Sequence, residues 1–364
     1  LKKDFVKVRK VNLIYKIMKY RRLKLIIALM VILTTACNEP ETVITDIVHT
    51  DGSVTRKIEM KNQENNFKIS DIQVPFDSTW AIRDSLEFND KGDTIWVKRA
   101  EKVFKSVDGI NQDYKSDSSA NREVVRSASF SKKFRWFHTN YRFSETIDRE
   151  MSHGYPVSDF LNSQELTWFY SPDNTNDKKR NGPDSLIYKA IDDSVKKKTD
   201  IWTTRSIISE WIAEFSDLTR TGTGHGIVAD SLKAHEGYFA DLVMENEDKF
   251  DSLWTNGELL RDFIGESNAK KYKEEADSAL NLITKKILVT FSNYTLRISM
   301  PGRVTGSDGF IDSAGTLLWP VKSDYFLTTP YVMWAESKVP NTWAWIISGI
   351  FVGFVLTGIF VGRK

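Results

Sequence analysis

The sequence predicts an α+β fold: an antiparallel β-rich domain with a large helical insertion, closed by one C-terminal transmembrane helix. Three observations predict it. Apolar residues alternate with polar ones near the start and again near residue 290. Between about 156 and 285 the apolar spacing lengthens to three and four residues, the period of a helix. From Thr342 to Val361 no charged residue occurs. Strands, then helices, then strands describe an α+β chain with a helical insertion rather than an alternating parallel sheet.

In chain order, Lys19-Tyr20-Arg21-Arg22-Leu23-Lys24 precedes the apolar run Leu25–Leu33, and Thr34-Thr35-Ala36-Cys37 follows. A basic segment, a short apolar segment and small residues are the parts of a secretory signal. The apolar run is too short for an ordinary spanning helix, which needs about 20 residues. The signal region is read as residues 1–36, with Met18 as the natural start of translation.

Glu41 to Met60 alternates through Val43, Thr45 and Ile47, turns at Asp51-Gly52, and resumes with Val54, Arg56 and Ile58. Asp-Gly between two such runs predicts a hairpin. Lys68 to Phe76 and Thr94 to Phe104 read as further strands, the second after the turn cluster Asn89 to Asp93, and Asp113 to Asn121 reads as loop. Val124 to Ile147 is the densest β-like stretch. Its aromatic residues Phe130, Phe134, Trp136, Phe137, Tyr141 and Phe143 are interleaved with Lys132, Lys133, Arg135 and Arg142. Core or membrane-proximal packing is expected for these rings.

Helical periodicity covers Asp159 to Phe169, Ser185 to Lys196, Asp200 to Leu218, Ser231 to Phe250, Gly257 to Ile264, and Asn268 to Ile283 or beyond. Trp168, Trp202, Trp211 and Trp254 fall at core-like positions on these helices. Strand character returns at Ile287 to Met300, Leu317 to Val321 and Tyr325 to Glu336, with turns at Met300–Val304 and Ser307–Gly309. At 1.5 Å per residue, Thr342–Val361 is roughly 30 Å long, the thickness of the hydrocarbon core. Trp343 and Trp345 suit the membrane interface, and Arg363-Lys364 predicts a cytoplasmic far end.

The formal net charge of +2 conceals an asymmetry. Setting aside 10 bases and one acid in residues 1–36, and two bases in 340–364, leaves residues 37–339 at about −9. No basic nucleic-acid footprint is present, so no nucleic-acid partner is expected. The same net charge argues against broad adhesion to anionic head groups. With Cys37 the single cysteine, structural disulfides and cysteine metal sites are excluded.

The histidines are His49, His138, His153, His225 and His235, and none forms a His-Glu-x-x-His motif. His225 lies in the glycine-rich stretch Thr221–Gly226, ten residues before His235. This region is the candidate for an alternative reading, a hydrolase acting on envelope material. No nucleophile elbow appears, and Asp192-Asp193 and Glu245-x-Glu247-Asp248 read as solvated helix faces. No catalytic residue, metal ligand or cofactor is assigned.

Leu33-Thr34-Thr35-Ala36-Cys37 resembles a bacterial lipobox, in which Cys37 is the lipid attachment site; here Thr34 stands where the motif prefers Leu. The ends of the exported segment resemble the LppM-like membrane-anchored lipoproteins. The matching pieces are Asp51-Gly52, Met300-Pro301-Gly302-Arg303-Val304, Thr316-Leu317-Leu318-Trp319, and Ala335-Glu336-Ser337 before the span. The resemblance implies a non-enzymatic lipoprotein of the bacterial envelope, with its domain (residues 37–339) periplasmic and its span (residues 340–364) in the inner membrane. It implies contact with membrane lipids through acylated Cys37 and the C-terminal helix, and a lipid, glycan or protein partner nearby. The helical middle has no counterpart in that resemblance.

Overall fold

A computed structural model of the chain describes residues 40–65, 67, 78–88, 92–116, 124–172, 185–223, 229–287, 293–312 and 315–361. The expectations for residues 1–36 with Met18, for Cys37, for the strand at 68–76, for His225 and for Arg363-Lys364 lie outside the described residues.

The fold is α+β, built on two sheets. The first hairpin forms as expected: β1 (Glu41–Val48) and β2 (Val54–Asn62) pair antiparallel, with Val48 opposite Val54. Gly52 has φ +94°, and a Cβ there would meet the Phe130 ring at 2.9 Å, so the turn needs glycine twice over. Beside β2 runs β4 (Thr94–Phe104), and outside it β3 (Ala81–Phe88). The sequence pattern does not reveal β3, because this edge strand is mostly exposed and held by cross-strand ion pairs, Asp84 to Lys98 and Glu87 to Arg99, rather than by an apolar face.

Helix α1 (Val107–Lys115) follows, so Asp113 to Lys115 form its last turn instead of a loop. It inserts Ile110 and Tyr114 into the core. Val124–Ile147 folds as the hairpin β5 (Arg126–Phe134) and β6 (His138–Ile147). After the helical part come β7 (Tyr294–Ser299), β8 (Arg303–Ser307), β9 (Phe310–Ile311), β10 (Leu317–Val321) and β11 (Tyr331–Pro340). One sheet has the order β3-β4-β2-β1-β7-β10-β9, parallel only at β1–β7; the other is β5-β6-β11-β8. Their inner faces share one core, in which Ile44, Ile58 and Leu296 meet Phe143, Met333 and Ala335.

Helices occupy the segment between β6 and β7. The first, α2 (Ser163–Tyr170), starts at a capping box: the Asn162 side chain accepts from the Gln164 and Glu165 amides, and Glu165 accepts from the Asn162 amide at 2.9 Å. Asn162→Ala is expected to cost about 1 kcal/mol, to be read as a lowered urea midpoint with unchanged slope.

The two helices expected at 185–196 and 200–218 are one, α3 (Ser185–Thr223), about 58 Å long. Nothing in Lys196-Lys197-Lys198-Thr199-Asp200 breaks a helix; only the apolar rhythm lapses there, and Lys198 reaches Glu165 of α2 at 2.7 Å. Conversely, the helix expected at 231–250 is divided. It becomes α4 (Ala229–Lys233), α5 (Glu236–Glu245), a 3-10 turn (Glu247–Lys249) and α6 (Phe250–Thr255). At the end of α5 the Asn246 side chain donates to the Leu242 carbonyl at 2.8 Å, which suits termination. α7 (Glu258–Ile264), α8 (Glu266–Lys271) and α9 (Lys273–Ile287) complete the layer.

Two apolar cores share α3. Val195 and Trp202 pack with Trp168, Phe169 and Tyr325, whereas Trp211, Ile212 and Phe215 pack with Phe239, Leu260 and Ala276. The four tryptophans expected in cores are all buried. The last helix, α10 (Thr342–Val361), has 20 residues and is long and apolar enough to cross a membrane.

Candidate functional site

The candidate site is the junction between the four-stranded sheet and α10. β11 ends at Pro340, which has no N–H to extend the ladder, and one residue later α10 begins. That residue, Asn341, is held on the tip of the β5–β6 hairpin. Its amide N donates to the Phe137 carbonyl at 3.0 Å, and its side-chain Nδ2 donates to the carbonyls of Arg135 at 2.7 Å and Trp136 at 3.2 Å. Its Oδ1 accepts from the Thr139 hydroxyl at 3.0 Å.

Aromatic rings extend the contact. Phe134 stacks on Trp343 (6.4 Å between centroids), Trp136 meets the same indole edge-on at 5.2 Å, and Phe137 lies 4.4 Å from Trp345. The Trp136 Nε1 donates to Ser348 Oγ at 3.0 Å. Ser348 is six residues into the helix, about 9 Å along its axis. The hairpin tip therefore runs beside the first two turns of α10. All five rings remain substantially exposed, Trp136 by 48% and Trp345 by 58%. Amphipathic rings in that position match a membrane interface, where the apolar body and polar N–H find different surroundings.

The Met300–Gly302 turn, shorter than the expected Met300–Val304 because β8 begins at Arg303, closes the other side of the junction. Gly302 has φ +76°, and a Cβ there would stand 2.6 Å from the Lys338 carbonyl, so only glycine lets the turn press onto β11.

Charge is segregated at this end. Between Val124 and Ser144 the chain has no acid and carries Arg126, Lys132, Lys133, Arg135 and Arg142. After Glu336 it has no acid at all. Sheet register places Lys133 opposite Asn140, Asn140 opposite Lys338, and Lys338 opposite Arg303. Directly opposed residues share a face, so these four form one row across the sheet. The −9 average does not disclose this row; only strand pairing assembles it.

A second group of charges lies in the core. Arg56, 1% exposed, makes a bidentate pair with Asp46 (2.7 and 2.6 Å) and also bonds Glu145 and, at 2.6 Å, the Tyr114 hydroxyl. Arg126 lies over the Tyr114 ring at 4.6 Å. Burial raises the Glu145 carboxyl to about 7 despite Arg56, with Asp46 adding like-charge repulsion. Burial and Asp324 likewise raise Glu150 to about 7. The cluster links both sheets and α1 and is enclosed on every side; its geometry is that of a structural tie.

His235 is exposed beside α5, with Nδ1 3.3 Å from the Ser231 carbonyl, while its neighbour Glu236 is buried and accepts from the Tyr155 hydroxyl at 2.7 Å. No group of three or more metal-binding side chains occurs among the described residues. No protein-family model, curated protein or solved structure matches the chain.

Proposed function

We propose that this chain is a non-enzymatic, membrane-anchored lipoprotein of the bacterial envelope, whose periplasmic domain binds a lipid, glycan or protein partner beside the inner membrane. The observation that carries this reading is the clamp between the β5–β6 tip and α10. A flexible stalk would let the domain wander, whereas Asn341 and five aromatic rings hold it against the helix that would cross the bilayer. Acylated Cys37 would add the second tether that stable anchoring requires.

The reading is tested by fractionation and labelling. The full chain should stay in the membrane pellet through alkaline carbonate extraction. With Cys37→Ser as background, a cysteine replacing Gly237, which has open space around its Cβ position, should react with an impermeant maleimide on spheroplasts. Labelling only after permeabilisation would place the domain in the cytoplasm and defeat the proposal.

A further inference from the structure

The cationic row at the end of the four-stranded sheet is a cost to the isolated fold. Lys338 and Arg303 are directly opposed on adjacent antiparallel strands, an arrangement in which like charges repel. Lys133 occupies the same row two strands away, so the three cations span about 14 Å at 4.8 Å per strand. Lys133, Lys338 and Arg303 are all exposed, as is Arg135 at the hairpin tip. None of the four makes an ion pair with another described residue. The nearest acid on β11, Glu336, sits one row further from α10 and is engaged by Arg142 at 2.6 Å. Asp51 in the β1–β2 turn accepts from the amide and hydroxyl of Ser53.

Position supplies the occupant. Lys338 precedes Thr342 by four residues of extended chain, about 13 Å, and the row lies just beyond the indoles of Trp343 and Trp345. Lysine and arginine stems reach toward a bilayer surface from such a place while the rings sink into it. We infer that Lys133, Lys338, Arg303 and Arg135 bind the phosphates of anionic phospholipids in the leaflet where α10 begins. The repulsion between Lys338 and Arg303 is then relieved by the lipid, and the domain is oriented as well as tethered. This rests on the reading that α10 crosses the membrane.

The full chain, reconstituted in nanodiscs of phosphatidylcholine alone or mixed with phosphatidylglycerol, provides the test. Phosphatidylglycerol should raise Tm by roughly 2–4 °C, and added salt should erode that gain. The K133Q/R303Q/K338Q chain should lose the gain yet unfold no earlier than wild type in phosphatidylcholine, because the opposed charges are gone. K133R/R303K/K338R should retain it. An equal gain in the neutralised chain, or no gain in wild type, overturns the inference while leaving the anchor intact. Inorganic phosphate reproducing the full gain in phosphatidylcholine would also overturn it, since the occupant would then be a free anion. Failure of the chain to enter nanodiscs would refute the membrane reading itself, and this inference with it.

Discussion

Arg56→Met is expected to destabilise the β domain by about 3–5 kcal/mol, the range for removing one partner from a buried ion pair. Asp46 and Arg56 are paired across the first hairpin, Glu145 approaches from the opposite sheet, and Tyr114 comes from α1. One guanidinium therefore holds three elements that contact one another mainly through apolar side chains. Methionine fills similar space but leaves the buried Asp46 carboxylate, and Glu145 beside it, without their cation. Urea unfolding in detergent, followed by tryptophan fluorescence, gives the change directly. The triple change D46N/R56M/E145Q should recover most of the loss, because the uncompensated charge rather than the shape is responsible. An unfolding free energy within about 0.5 kcal/mol of wild type for Arg56→Met would show that the cluster contributes nothing to stability.

The second large effect is a dependence on pH that runs opposite to ordinary acid denaturation. The Glu145 carboxyl is raised from 4.5 to about 7, by burial first. Between those values the native state holds a proton that the unfolded chain releases, so stability is fully present below the unfolded value and falls as pH rises toward 7. The change across that window is on the order of 3 kcal/mol for one such group. Glu150, raised to about 7 by burial and by Asp324, acts in the same direction. Glu145→Gln cannot titrate, so its stability should vary with pH less steeply than that of wild type, the remainder belonging to Glu150 and Asp324, both raised by burial. Unfolding midpoints compared at about pH 5 and about pH 8 decide this. An unchanged slope in Glu145→Gln would assign the dependence elsewhere.

The first effect centres on a residue whose position was visible in the alternation of the first hairpin. Val54, Arg56 and Ile58 share one face, and that face is the core. A charged residue in the phase of buried ones signals a partner without identifying it. Asp46 is ten residues away, Glu145 eighty-nine, so the hairpin predicts the first partner and only the docking of two sheets supplies the second.

The helical part shows the complementary limit. Periodicity located helices wherever apolar residues recur, and missed continuity where they do not, as at Lys196–Asp200. It also passed over the ends within 231–250, because local hydrogen bonds, such as that of Asn246, set those ends rather than the apolar pattern. β3 escaped notice for a related reason: its alternation of Ile82, Leu86 and Phe88 is broken by Asp84, and the strand is held at the sheet edge by ion pairs, with those apolar side chains left exposed.

By itself the sequence determined the class of the fold, the first hairpin, the limits of β4 and α10, and the length of helix suited to a bilayer. Each of these depends on short-range periodicity or on composition, which a single segment carries alone. Tertiary structure decided what the segments are for. The aromatic residues of the β5–β6 hairpin were equally compatible with core and membrane-proximal roles, and the fold divides them: Tyr141 and Phe143 lie inside, while Phe134, Trp136 and Phe137 lie on α10. The cationic row required the register of four strands drawn from three distant parts of the chain. Its charges are diluted in any count along the sequence, and they become a surface only when strand pairing brings them into one row about 14 Å long.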